Sequence, residues 1–385
     1  MTVRQGSACY PALGMRTKPL QIEGRRRPGD TRSVSRDDFV LRELDSPSGH
    51  DWSASLANND NITPYCLDHD SRHMIFAETP AETDVSIAPF YYQAQFEAAT
   101  RLIAAPYDLA HEIALRASVR FDELVLLYSV GRCGSTLVSK LWQQLPDTYS
   151  LSEPDVFTDI SKLREQRLLG DGEAALLLGA AVRLVYKPRR ACTRFVLKFR
   201  ARCIDLAELM YGIFPAAKLL FIYRNAFDCI DSYVRVFGDE PVDEATFVRT
   251  FPHARGSRGD DWHRLGRVGG PLVSWADGMK RYLAMRERGL PVFAVRYEDL
   301  VKDPELSIAQ LFRHCAAPAL SSEQISEVMA RDVQAGTKVA RNAEGRRTLT
   351  EAELDVIRTI LEQDGAIAPD GVLPGTISGQ LHGRP

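Results

Sequence analysis

Apolar positions along the 385-residue chain fall into short continuous runs that alternate with stretches of helical period. Residues 124–128 (Leu124, Val125, Leu126, Leu127, Tyr128) form the sharpest run, stopped by Gly131 and Gly134, and this predicts a buried strand. From Ser135 onward Leu137, Val138, Leu141, Trp142 and Leu145 recur at helical spacing until Pro146 closes the segment. Residues 149–153 predict a short extended piece ending in the acid Glu153, followed by a helical region to about Lys187. Further buried strands are predicted at 194–199, 217–223 and 292–297, with helices behind them marked by Leu206, Leu209, Met210, Ile213 and Phe214 and by the span 272–288. Asp303 reads as an N-cap with Pro304 at the first helical position, and helical segments continue to about Leu361. Strands alternating with helices in this way predict an α/β fold with a central parallel sheet and right-handed crossovers. Ligands of such sheets sit at the carboxyl ends of the strands, where Ser129 to Thr136, Glu153, Lys198 and Arg224 all fall.

The rest of the chain is less readable. Residues 1–37 contain Gly24-Arg25-Arg26-Arg27-Pro28-Gly29-Asp30 and few apolar positions, so a tail that does not pack is expected. Short apolar runs at 38–41 and 73–76 lie between Asp, Asn, Pro and Ser clusters and carry no legible role. Between 87 and 117 the pattern turns helical, with Phe96, Ala99, Leu102 and Ile103 before Pro106 and Leu109, Ile113 and Leu115 after it, predicting a two-helix preface at one sheet edge. The polar stretch 237–270, with Trp262 and His263, reads as a lid or substrate loop. The expected organisation is therefore a tail at 1–37, a partly helical extension at 38–120, an α/β domain at 121–363 and a loose end at 364–385.

Composition narrows the function classes. A content of 45% hydrophobic and 26% charged residues is that of a globular protein, and a formal net charge of −3 speaks against a nucleic acid or a membrane surface as main partner. No run approaches the roughly 18 uninterrupted apolar residues of a membrane span. Residues 1–35 are Arg-rich in the manner of a transit peptide but lack the apolar core of a secretory signal. The seven cysteines are odd in number and lack CxxC spacing, so neither a disulfide framework nor a zinc knuckle is expected, and a reducing cytoplasm fits best.

The chemistry concentrates at 129–137. A strand turning through glycines into a helix N-terminus aims backbone N–H groups and the positive end of the helix dipole at one point, which is an anion site. Gly131 and Gly134 allow close approach, Ser135 and Thr136 add hydroxyls, and Arg132 adds a charged fork. The GxxxxGK[ST] pattern of nucleoside triphosphate loops is absent, since positions 129 and 135 are both serine. The string Arg132-Cys133-Gly134-Ser135-Thr136, with Leu137, instead resembles the 5'-phosphosulfate loop of sulfotransferases, with Cys133 where serine is common. A second motif agrees: Arg224 at the end of a strand and Ser232 eight residues on match the pair that grips the donor's 3'-phosphate in that family. Tyr297-Glu298-Asp299-Leu300 followed by Asp303-Pro304 is similar to the family's closing strand and helix and reads as structural. The stretch 334–341, with Lys338 and Arg341, lies where the family has a basic loop that also reaches the 3'-phosphate. The likeness covers about residues 121–345.

What the resemblance implies is a P-loop NTPase-like sulfotransferase fold and transfer of a sulfuryl group from 3'-phosphoadenosine 5'-phosphosulfate (PAPS) to a hydroxyl, with no metal. As in phosphoryl transfer, the protein's work is positioning and charge neutralisation. Arg132 would stabilise the sulfuryl oxygens and Lys198 the leaving phosphate. Many members carry a histidine base two residues after that lysine, but here the position is Arg200, which cannot accept a proton. Glu153, 21 residues past Arg132, stands where tyrosylprotein sulfotransferases carry a catalytic glutamate, and its competing role is a salt bridge that orients Arg132 or Arg200. His263 is the outside candidate. An ATP-using phosphotransferase and a non-catalytic nucleotide-binding relative are the alternatives. Neither the acceptor, whether small molecule, sugar, lipid or peptide, nor the oligomeric state has a readable code.

Overall fold

The computed structural model describes residues 17–27, 33–44, 52–117, 119–121, 123–187, 191–237, 265–335, 347–365 and 367–377. Among these residues two five-stranded sheets carry the fold. The first is antiparallel and consists of β1 (Lys18–Arg25), β2 (Phe39–Glu43), β3 (Ile62–Asp68), β4 (His73–Glu78) and β5 (Arg101–Pro106), in the order β2-β1-β5-β4-β3. Helices α1 (Trp52–Asn58), α2 (Tyr91–Ala98) and α3 (Tyr107–Arg116) accompany it.

The second sheet is parallel throughout: β6 (Glu123–Ser129), β7 (Thr148–Ser152), β8 (Arg194–Lys198), β9 (Lys218–Tyr223) and β10 (Val292–Arg296), in the order β10-β9-β6-β8-β7. It is flanked by α4 (Ser135–Trp142), α5 (Val156–Glu165), α6 (Asp171–Tyr186), α7 (Ala207–Ile213), α8 (Ala226–Phe237) and α9 (Gly269–Glu287). Then come α10 (Tyr297–Lys302), α11 (Pro304–His314), α12 (Ser322–Ala330) and α13 (Glu351–Asp364). All five residues of β8, and all but the first of β6 and of β9, are buried, which explains why these strands read as unbroken apolar runs. The α11 start follows the expected cap: Asp303 accepts the Leu306 N–H at 3.1 Å with Pro304 next to it.

With β6 central and the chain leaving it first to one side and later to the other, the loops after β6, β7, β8 and β9 gather at one sheet edge. The strand ends are locked in register. Glu153 N donates to Lys198 O at 2.7 Å, Phe199 N to Leu127 O at 3.0 Å and Val130 N to Ile222 O at 3.2 Å.

Three expectations are corrected. Residues 18–25, inside the stretch expected not to pack, form β1, because Leu20 enters a small core with Phe39, Tyr65, Tyr92 and Phe96. Leu102 and Ile103, expected on a helix, lie in β5. That strand and β4 are apolar on both faces: Ile75, Ala77, Leu102 and Ala104 enter the small core, while Met74, Phe76, Ile103 and Ala105 join the main one. A two-period alternation with both phases apolar looks the same as any apolar run. Finally, residues 367–377, expected to be loose, pack against the parallel sheet. Thr376 bridges to Ala294, Leu373 N donates to Tyr223 Oη at 3.1 Å, Tyr282 Oη donates to Pro374 O at 2.6 Å, and Leu373 is buried.

The two sheets are joined by α5, whose Asp159 Oδ2 accepts the Leu67 N–H of β3 at 3.0 Å, with Lys162 Nζ 3.6 Å from its other oxygen. Burial, opposed by Lys162 and reinforced by Asp155, pushes this carboxyl up to about 7. Its folded value lies above the unfolded value of about 3.9. The group's contribution to stability is therefore fully present below about pH 4 and is lost as the pH rises through 7. Asp159→Asn is expected to unfold at a temperature that gains on the wild type between pH 5 and pH 8 in thermal scans, whereas a constant difference would mean that Asp159 does not titrate there.

Candidate active site at the strand ends

The loop from β6 to α4 owes its shape to three left-handed positions, two adjacent and the third beyond Cys133. Gly131 has φ +76°, Arg132 φ +48° and Gly134 φ +80°. At Gly131 a Cβ would strike the Tyr233 hydroxyl, and at Gly134 it would come within 2.6 Å of the Tyr297 ring, so neither position tolerates a side chain. Arg132 bears a side chain in a region that costs an L residue roughly 1–2 kcal/mol. What holds it is its guanidinium: Nε donates to Ser232 Oγ at 3.0 Å and Nη1 to Gln334 Oε1 at 3.3 Å. Burial pulls the pKa of this guanidinium down.

Beyond the loop, Gly134 caps α4 without any side-chain hydrogen bond, and Val138 N is the first to bond back, to Gly134 O at 3.1 Å. The N–H groups of Ser135, Thr136 and Leu137 are those a helix start leaves for an anion. Of the residues expected to bind the donor, Cys133 and Leu137 can offer only main-chain groups. The Cys133 side chain is buried and donates to Ile222 O at 3.2 Å, and Leu137 lies in the core.

Ser232 stands on α8, two turns past Arg224, and is buried. The Arg224 guanidinium carbon lies 4.7 Å from the centre of the Tyr297 ring, the same ring that presses on Gly134. Nη2 is 3.4 Å from Asp228 Oδ2, and the buried Nε has no hydrogen-bond partner among the described residues. Burial raises the Asp228 pKa, but Asn225, Arg347 and Arg224 more than offset it, and the net shift is downward. Arg347, absent from the sequence-based candidates, pairs with Asp228 at 2.9 Å, and Asp231 accepts the N–H groups of Thr348 and Leu349 beside it at 2.6 and 3.1 Å. Lys338, Arg341, Trp262 and His263 lie outside the described residues.

On the other side of β6, the buried Lys198 pairs with Glu153 and donates to Thr136 Oγ1 at 3.4 Å. Glu153 is itself left-handed, φ +60°, and its second oxygen is 3.8 Å from Arg200 Nε. Arg200 is bound more closely by Asp155, at 2.8 Å, and its guanidinium carbon sits 4.1 Å above the Tyr92 ring of α2. Burial works against its charge, yet Asp155, Tyr92 and Glu153 outweigh it and its pKa goes up. Asp155 Oδ2 also accepts the Val34 N–H at 2.6 Å. Glu153 is thus bridged to Lys198 and Arg200 and not to Arg132. Tyr92 escaped the sequence reading because it reaches the site from a distant segment, Asp155 because it was passed over two residues beyond Glu153, and Gln334 because only the basic residues of its stretch were singled out. Glu298, read as structural, accepts from Asn225 N at 3.0 Å and ties α10 to the loop after β9. Among the described residues no group of three or more His, Cys, Asp or Glu side chains could hold a metal ion, and no helix is long and apolar enough to cross a membrane.

The model of the sulfotransferase family matches residues 125–321, just over half of the chain. The protein therefore belongs to the sulfotransferase family, whose members transfer sulfuryl groups. No curated protein matches it. Similar solved structures include sulfotransferase STF9 from Mycobacterium avium, with 14% identity, 69% of this chain and 82% of that one covered, and a TM-score of 0.41. The sulfotransferase domain of the curacin biosynthetic pathway has 17% identity, coverage of 69% and 99%, and a TM-score of 0.39. Retinol dehydratase, solved with androsterone and the inactive cofactor PAP, has 13% identity, coverage of 81% and 98%, and a TM-score of 0.35.

Gly134→Ala places a methyl against Tyr297 at a backbone angle that resists it, and it should destabilise the protein by about 2 kcal/mol, read as a lower urea midpoint. An unchanged midpoint would mean that the Tyr297 ring moves aside freely.

Proposed function

We propose that this protein moves a sulfuryl group from PAPS to a hydroxyl of an acceptor, be it small molecule, sugar, lipid or peptide. The observation that carries the reading is the 3.0 Å hydrogen bond from Arg132 Nε to Ser232 Oγ. It joins the loop after β6 to α8, the helix that follows Arg224, and so supports two anion sites that serve one molecule bearing phosphate at both ends. The orphaned Arg224 Nε and the N–H groups that the first turn of α4 leaves outside its own ladder are donors suited to such a molecule.

In this reading the first turn of α4, with Arg132, holds the 5'-phosphosulfate, and Arg224 with Ser232 holds the 3'-phosphate. Glu153 takes the acceptor's hydroxyl proton as that oxygen bonds to sulfur. Lys198 and Arg132 neutralise the charge returned to the 5'-phosphate as its bond to sulfur breaks. Arg200 cannot serve as the base and keeps Glu153 in place. Cys66, Cys133, Cys203, Cys229 and Cys315 are free thiols, which fits a reducing compartment such as the cytoplasm.

3',5'-Bisphosphoadenosine (PAP) at a hundredfold excess over its Kd should stabilise the chain by about 2.7 kcal/mol, visible as a raised melting midpoint without added metal. Arg132→Ala and Arg224→Ala should each weaken PAP binding at least tenfold in calorimetry. Stabilisation by ATP with Mg²⁺ alone would defeat the proposal. Glu153→Gln should leave PAP affinity unchanged while turnover with an identified acceptor falls about 10²- to 10⁴-fold, and full turnover in that variant would remove Glu153 as the base.

A further inference from the structure

Gln334 lies a few residues past α12, and its carboxamide spans the loop between β6 and α4. A guanidinium only donates, so the contact of Arg132 Nη1 at 3.3 Å fixes the carboxamide oxygen on that side. The amide nitrogen is left facing Thr136, and it donates to Thr136 Oγ1 at 3.4 Å. That hydroxyl oxygen also receives Lys198 Nζ at 3.4 Å. With two donors directed at it, the hydroxyl has its lone pairs committed, and its one proton is available only for donation to something else. Among the described residues nothing takes that proton.

We infer that Gln334 is a positioning residue of the 5' anion pocket: one carboxamide holds Arg132 by its oxygen and turns the Thr136 hydroxyl into an outward donor by its nitrogen. The inference rests on the reading of the β6–α4 loop as the 5'-phosphosulfate site. It assigns to a residue 202 positions from Arg132 the task of aiming two donors at the same anion. A glutamate in its place would accept from both Arg132 and Thr136, turn the Thr136 proton inward and add a negative charge beside the anion. A methionine would keep length and volume and lose both bonds.

Isothermal titration of the full chain with PAP and with adenosine 3'-phosphate separates this role from a merely structural one. Gln334→Met is expected to weaken PAP about tenfold and to leave adenosine 3'-phosphate, which lacks the 5' group, nearly unchanged. Gln334→Glu is expected to weaken PAP about a hundredfold, with the melting midpoint of both unliganded variants close to that of the wild type. Wild-type PAP affinity in the methionine variant overturns the inference, and so does an equal loss for the two ligands. Failure of the wild type itself to bind PAP would instead overturn the reading of the loop on which the inference depends.

Discussion

At Arg132 the backbone takes a turn that an L side chain resists, and the bond from its Nε to Ser232 keeps it there. The loop after β6 can only reach this shape if α8 presents Ser232 at the right height, and α8 is placed by the crossover from β9. A local conformation is thus set by an element 100 residues away. Glu153 repeats the arrangement on the other side of β6, where a left-handed residue is bridged to cations from the end of β8 and just beyond it. Strained residues of this kind persist where the surroundings over-determine them, and both sit at the carboxyl edge of the parallel sheet.

Tyr297 adds a second tie. Its ring fills the space that a side chain at Gly134 would need and offers its face to Arg224. The loop after β6 and the segment that follows β9 therefore share one aromatic spacer as well as hydrogen bonds from Arg132 to Ser232, from Cys229 Sγ to Gly131 O and from Tyr233 Oη to Val130 O. Charged groups crowd the same region: Lys198 and Arg200 stand against Glu153 and Asp155, and Arg224 against Asp228, with Arg132 at the loop itself.

How much of this the chain discloses beforehand depends on how local the cause is. The parallel strands were legible because each is a short apolar run between breakers, and the loop with Arg132, like the pair Arg224 and Ser232, was legible because a fixed spacing carries it. β3, β4 and β5 were not, since a strand apolar on both faces loses the alternation that betrays it, as Met74 and Phe76 against Ile75 and Ala77 show. Gln334, Tyr92 and Asp155 were hidden in another way. Gln334 opens a stretch that was noticed and Asp155 follows Glu153 by two positions, but the contacts through which all three matter are closed only by tertiary packing. The segment 367–377 misled for a related reason: its Gly and Pro content suggests looseness, but Thr376 and Leu373 are held by Tyr223 and by the edge strand β10.

The antiparallel sheet has one more implication, through Asp155. This carboxylate takes the Val34 N–H with one oxygen and Arg200 with the other, while Tyr92 lies under the same guanidinium. Fraying of the amino-terminal sheet would free Arg200 at the moment it exposed the apolar sides of β4 and β5, so loosening there is transmitted directly to the carboxylate at position 153. That sheet is therefore no detachable module, because the parallel half of the molecule leans on it for the posture of Glu153.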